Sequence, residues 1–132
     1  MDGGIIKSSQ NVPILTKSLL KFEGKNYTLI IPGGIGVREL VKNEIFLNHL
    51  KLISTNAEYI LTICTGSILL SKTGLLNNKR ATTNKRVFTW TREFPDVIWV
   101  NKARWINDGN IYTSSGVSAG IDMTLGFISD LL

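Results

Sequence analysis

Tyr59-Ile60-Leu61-Thr62-Ile63-Cys64-Thr65-Gly66-Ser67-Ile68-Leu69-Leu70 changes character at its centre. The first five residues are β-branched, aromatic or aliphatic with no polar alternation, an apolar strand pattern. Ile68-Leu69-Leu70 carries the apolar run on to Gly74, a residue that stops helices. Cys64 therefore falls at a tight turn from a strand into a helix. Upstream, Tyr27-Thr28-Leu29-Ile30-Ile31 is a continuous apolar run that stops at Pro32-Gly33-Gly34, which suits a strand buried on both faces. Leu40, Val41, Ile45, Phe46 and Leu50 then recur at helical spacing. Downstream of Gly74, Asn77-Asn78 turns the chain, and a helix is predicted from Asn84 to Glu93, closed by Pro95. Val97-Ile98-Trp99-Val100 and Ala103-Arg104-Trp105-Ile106 read as short strands. Asn107-Asp108-Gly109-Asn110 is a hairpin signal with Ile111-Tyr112-Thr113 returning. Ser115-Gly116-Val117-Ser118 opens a last helix carrying Met123, Leu125, Phe127, Ile128 and Leu131. At the start, Ile5-Ile6 and Val12-Pro13-Ile14-Leu15 are short extended pieces around the turn Ser8-Ser9-Gln10-Asn11, with Pro13 marking an edge or a strand start. Apolar strands alternating with helices predict an α/β sandwich with a mainly parallel sheet.

Composition narrows the function. The 132 residues fit one domain, spanning 1–132, and can bury a real core without a staple. Hydrophobic residues make up 43% and charged residues 19%, a globular balance. A single cysteine forbids an internal disulfide and points to a reducing, cytoplasmic setting. The opening residues do not read as a secretory signal, and no apolar run reaches the ~18 residues of a membrane span. The net charge of +5 reads as solvated surface. Lys79-Arg80 and Lys85-Arg86 lack the interleaved aromatics of a strand-binding groove, so no nucleic acid is expected as a partner of this domain. Gly33-Gly34-Ile35-Gly36 has the wrong spacing for a dinucleotide fingerprint, and one histidine with one cysteine cannot build a zinc site. Neither metal nor cofactor is expected.

In an open parallel sheet, ligands bind beyond the carboxyl ends of the strands. Pro32-Gly33-Gly34, Cys64-Thr65-Gly66 and Ser114-Ser115-Gly116 all fall there. A thiol at the start of a helix meets unpaired N–H groups and the positive end of the helix dipole, which favour thiolate over thiol. The N–H of Thr65, with a second from Gly34, could form an oxyanion hole. Position alone leaves open the alternative that Cys64 is a small buried hydrophobe. His49 reads as a surface residue, and Asp122 as an acid favoured in a helix first turn. Trp90, Trp99 and Trp105 read as core or half-buried strand residues, and Ser114, Ser115 and Ser118 as turn residues that could line a pocket.

Ile30-Ile31-Pro32-Gly33-Gly34-Ile35-Gly36-Val37-Arg38, Ile63-Cys64-Thr65-Gly66-Ser67, Gly74-Leu75-Leu76 with Arg80-Ala81-Thr82-Thr83, and Asp108-Gly109-Asn110 with Ser114 to Asp122 occur in a telling order. Together they resemble the ThiJ/PfpI superfamily, the class I glutamine-amidotransferase-like fold, over about residues 25–132. The set looks most like the isonitrile hydratase branch, which also resembles the sensor domains of AraC-type regulators. The resemblance implies a flavodoxin-like three-layer sandwich, a homodimer, and a small-molecule substrate. It implies Cys64 as nucleophile adding to an isonitrile carbon, with Thr65 and Gly34 beside it. Gly33, Ile35, Arg38, Ser115, Gly116 and Val117 would surround the substrate, although Arg38 also fits an ordinary surface position at a helix start. The alternatives are a sensing domain with a redox-sensitive cysteine, or a glyoxalase- or deglycase-like relative.

Two departures from the family pattern stand out. The pattern begins with a buried strand and a turn whose acidic residue faces the thiol, and nothing before Ile5 supplies them, so the domain is expected to be a fragment incomplete at its N-terminus. Relatives often carry histidine after the paired threonines, where this chain has Asn84. A Cys-His-Glu triad therefore cannot be assembled.

Overall fold

The computed structural model describes residues 2–22 and 24–132. In chain order its elements are β1 (Gly4–Lys7), β2 (Pro13–Thr16), β3 (Thr28–Ile31), α1 (Val37–Leu40), α2 (Glu44–Thr55), β4 (Tyr59–Ile63), α3 (Gly66–Lys72), β5 (Arg80–Ala81), β6 (Ile98–Trp99), β7 (Trp105–Asp108), β8 (Ile111–Ser114) and α4 (Val117–Leu131). The main sheet has the order β3-β4-β8-β7. β3, β4 and β8 run parallel, and β7 joins antiparallel through the Gly109-Asn110 hairpin. Gly109 has φ 67, the conformation that a glycine at the first loop position of such a hairpin supplies without a Cβ penalty. β1 and β2 pair separately as an antiparallel hairpin, and β5 and β6 form a small parallel pair.

Alternation along β4 explains why its sequence has no polar face. Ile60 joins a core with Ile31, Leu50, Ile68, Leu70 and Ile111, on the side of α2 and α3. Leu61 joins Tyr112, Met123 and Phe127, with Tyr59 and Ile63 packed alongside, under α4. Successive β4 side chains thus enter different layers, and both layers are built mainly from apolar side chains. The result is the flavodoxin-like three-layer sandwich with a mainly parallel sheet. Gly126 lets α4 settle on the sheet, since a Cβ there would lie 2.8 Å from the Trp105 ring. β3 does not have the two buried faces expected of it: Leu29 and Ile31 face the first core, but Ile30, on the strand at the edge of the sheet, is 55% exposed on the other face.

The structure changes two local expectations. The apolar run from Leu40 to Leu50 is not one helix. α1 ends after one turn, and Asn43, extended at φ −94 and ψ 95, starts α2 by accepting the Phe46 N–H at 3.0 Å. The segment Lys85–Glu93 is not an α-helix but two 3₁₀ turns, broken at Val87 (φ −120, ψ 23). β-branched Val87, Thr89 and Thr91 crowd a helix, and the Thr91 hydroxyl bonds the Phe88 carbonyl instead, at 2.7 Å. The strands expected at Val97–Val100 and Ala103–Ile106 occur as β6 and β7, shorter or shifted toward the hairpin. No helix among the described residues is long and apolar enough to cross a membrane.

Candidate active site

β3, β4 and β8 deliver their C-terminal loops to one end of the sheet, and at its centre the chain makes an abrupt bend. Cys64 has φ 58. Among the described residues the other non-glycine positions with positive φ are Asn11, Asn26 and Asn78, a residue type whose side chain tolerates the left-handed region. A cysteine has no such compensation, so the surroundings must hold it there. The Cys64 N–H donates to the Ser114 carbonyl at 3.1 Å, which ties the bend to the end of β8. Its carbonyl accepts from the hydroxyls of Ser67 at 3.2 Å and Thr83 at 3.1 Å.

Two glycines make the bend possible. A Cβ on Gly66 would lie 2.1 Å from the Ile31 carbonyl oxygen, so α3 can start against the end of β3 only without a side chain there. A Cβ on Gly33 would lie 2.5 Å from the Thr65 nitrogen. The β3 loop therefore rests directly on the first residue of the elbow. Gly34, at φ +136, donates its N–H to the Thr65 hydroxyl at 3.0 Å. That N–H, expected as a second oxyanion donor, is thus engaged with Thr65, and the Thr65 side chain is fixed by it.

One contact to the sulfur went unassigned in the sequence. Asn84 Nδ2 lies 3.0 Å from Cys64 Sγ. The amide orientation is not arbitrary, because Asn84 Oδ1 accepts the Arg86 N–H at 2.9 Å. Neighbouring threonines anchor the segment: the Thr82 N–H bonds Thr113 Oγ1 at 2.9 Å and the Thr82 hydroxyl bonds the Val100 carbonyl at 2.9 Å. The signal available in the sequence was the place of Asn84 directly after Thr82-Thr83.

The remaining candidates have more varied surroundings. Ser115 and Gly116 are half-buried at the end of β8, and the Ser115 N–H is held by the Arg104 carbonyl at 2.8 Å. Val117 is 77% exposed and, with Ile63, Gly120, Ile121, Thr124 and Leu125, lines an open apolar groove of about 330 Å³. Ile35 is exposed. Arg38 lies on α1 with its guanidinium over the Trp90 ring, 5.6 Å from the centroid. Lys85 is not simply a solvated surface lysine. Its ammonium donates to Thr82 Oγ1 at 2.7 Å and lies over Phe88, and burial pushes its pKa down. His49 is half-buried on α2. Asp122 lies beyond the first turn of α4 and pairs with Arg104, so an ion pair rather than the dipole accounts for it. Among the described residues no cluster of metal-ligating side chains occurs.

A parallel α/β sandwich with a cysteine elbow at the C-terminal strand ends defines a recognisable class of protein. The chain belongs to the DJ-1/PfpI family, whose model matches residues 1–130. It is 35% identical over 105 residues to the isonitrile hydratase of Pseudomonas putida, a match that covers 79% of this chain and 45% of that relative. The chain thus spans less than half the length of that relative. A ThiJ/PfpI family protein from Pseudomonas syringae superposes with a TM-score of 0.79 at 26% identity, over 96% of this chain and 52% of that one. A DJ-1 superfamily protein from Salmonella typhimurium, at 19% identity, shares the fold with a TM-score of 0.81 over 99% of this chain and 71% of its own.

Proposed function

We propose that this chain carries the nucleophile of an isonitrile hydratase-type reaction, with Cys64 as the attacking group. The observation that carries the reading is the left-handed backbone of Cys64 at the junction of β4 and α3. A strained non-glycine residue persists only where its surroundings over-determine it, and such strain concentrates at functional sites. The same sharp strand-to-helix turn presents the nucleophile in other hydrolytic folds.

In the proposed reaction the thiolate of Cys64 forms a C–S bond to the terminal isonitrile carbon. That carbon takes a proton, giving a thioformimidate in which nitrogen remains doubly bonded to carbon. Water then adds to the same carbon, a proton moves to nitrogen, and the C–S bond breaks. The products are an N-substituted formamide and the free thiolate, so the net change is addition of one water. Thr65 orients the elbow and contributes its N–H to the charge that develops, while Gly33 and Gly34 keep the β3 loop against it. Ser115 and Gly116 form the facing rim. The apolar groove at Ile63 and Val117 accepts the N-substituent. The family match and the relative's name support this assignment.

The test is formation of an N-alkyl formamide from an alkyl isonitrile, followed by chromatography. The protein should produce formamide above the buffer rate, and Cys64→Ala should abolish that excess. Equal rates with and without Cys64 would refute the reading. Reversible ligand binding or thiol oxidation without formamide would assign the site to sensing instead.

A further inference from the structure

We propose that Asn84 is the positioning residue of this site: its side-chain amide holds the Cys64 sulfur as a hydrogen-bonded nucleophile and offers it no proton acceptor. The inference rests on the reading of Cys64 as the nucleophile and goes beyond it. It starts from the two ends of one side chain. Asn84 Oδ1 is committed to the Arg86 N–H, which leaves the donor end, Nδ2, 3.0 Å from Sγ. A carboxamide N–H can only donate. Its bond to an anionic sulfur is stronger than its bond to a neutral thiol, because the acceptor is charged. The contact therefore favours the attacking thiolate, and favours it again as the leaving group when the adduct breaks down.

An imidazole in this place could also take the thiol proton. Asparagine cannot, so residue 84 activates neither the thiol nor the incoming water by proton transfer. Its contribution is placement and charge stabilisation. Placement is firm because the segment is pinned on both sides. The Thr83 hydroxyl donates to the Cys64 carbonyl, the Thr82 N–H to Thr113 Oγ1, and the Lys85 ammonium to Thr82 Oγ1. The amide is thus set in position before any substrate arrives, and little reorganisation accompanies reaction.

Asn84 also caps the 85–93 segment, so the test must separate capping from contact with sulfur. Asn84→Asp keeps a cap acceptor but turns a carboxylate toward the sulfur. Asn84→Ser keeps a cap acceptor but is too short to reach it. Asn84→His restores an N–H donor. The readouts are the rate of Cys64 alkylation by iodoacetamide at neutral pH and the ultraviolet absorbance of the thiolate, with urea unfolding as the control for fold. The Asp and Ser variants should unfold near the parent midpoint yet alkylate about tenfold more slowly or worse, as loss of a hydrogen bond to a charged group implies. Their thiolate absorbance should fall, and the His variant should recover part of both. Folded Asp and Ser variants with the parent's rate and absorbance would overturn the proposal and leave Asn84 a cap. A parent protein that alkylates no faster than its own unfolded chain would instead defeat the nucleophile reading, while the variant-to-parent ratio would still decide Asn84.

Discussion

Removing the Cβ from Cys64 should stabilise the protein relative to leaving it in place. Cys64→Ala keeps a Cβ at φ 58, whereas Cys64→Gly does not. A left-handed conformation costs an L-residue about 1–2 kcal/mol. Glycine gives back about 0.5–1 kcal/mol through the greater freedom of its unfolded chain. The Gly variant should therefore be more stable than the Ala variant by about 1 kcal/mol. With a urea slope of about 2 kcal/mol per molar, the midpoints should differ by about 0.5 M. A control fixes the sign. Lys51 lies exposed within α2, where glycine is about 1 kcal/mol worse than alanine, so Lys51→Gly should unfold earlier than Lys51→Ala. Reversal of order between the two positions is the signature of a left-handed elbow. If Cys64→Ala unfolds at or above the midpoint of Cys64→Gly, the elbow is not strained and the argument built on it fails.

Three further outcomes follow from the same geometry. Gly66→Ala brings a Cβ to 2.1 Å from the Ile31 carbonyl oxygen, and backbone cannot yield as a side chain can, so thermal unfolding should show a loss of about 3 kcal/mol or more; an unchanged melting temperature would show that α3 does not abut β3. Tyr112 is buried and donates to Asp130 at 2.8 Å, and burial, then that bond, pushes its pKa up to about 12. The folded state therefore holds this proton more tightly than the unfolded chain, in which tyrosine titrates near 10; the stabilisation is intact below about pH 10 and is lost as pH rises toward about 12. Tyr112→Phe should lack that part of the alkaline decline in a urea series, and an identical decline would contradict the assignment. Arg104→Ala breaks a pair with Asp122 in which both side chains are substantially exposed, so its urea midpoint should move by less than about 1 kcal/mol in stability; a larger loss would mean that the pair does more than decorate the surface.

β4 was legible as an apolar strand because burial on both faces removes polar alternation, whereas β3 carries the same apolar pattern with Ile30 exposed, so the pattern alone did not report which strand is covered on both sides. The Cys64 turn was legible for a related reason: a strand pattern and a helix pattern abut there, with Gly66 marking close approach. The hairpin at Gly109 carried its own turn chemistry. Other features depended on tertiary competition. Asn43 interrupts an apolar periodicity that continues across it, so the break between α1 and α2 lies in a cap and not in the pattern. The run from Lys85 to Glu93 has a strong helical periodicity, yet its β-branched residues and the Thr91 hydroxyl bond to the Phe88 carbonyl settle it as 3₁₀ turns. Asn84 was read only as the start of a helix and as a departure from the resembled motif. Its meeting with Cys64 joins residues twenty positions apart, and no local pattern reports such a contact. Asp122 was read from its helix alone, while its partner Arg104 lies on the approach to β7.

The proposed chemistry depends on folding making Cys64 a better nucleophile than it is in an open chain. The most direct measurement compares the rate of Cys64 alkylation by iodoacetamide in the folded protein with the rate in the same protein unfolded in urea, at one pH and temperature. Since Cys64 is the single cysteine, the signal is unambiguous. The elbow and the Asn84 amide predict faster reaction in the folded state even though folding half-buries Cys64. A folded rate equal to or below the unfolded one would show that this cysteine is sheltered and not activated.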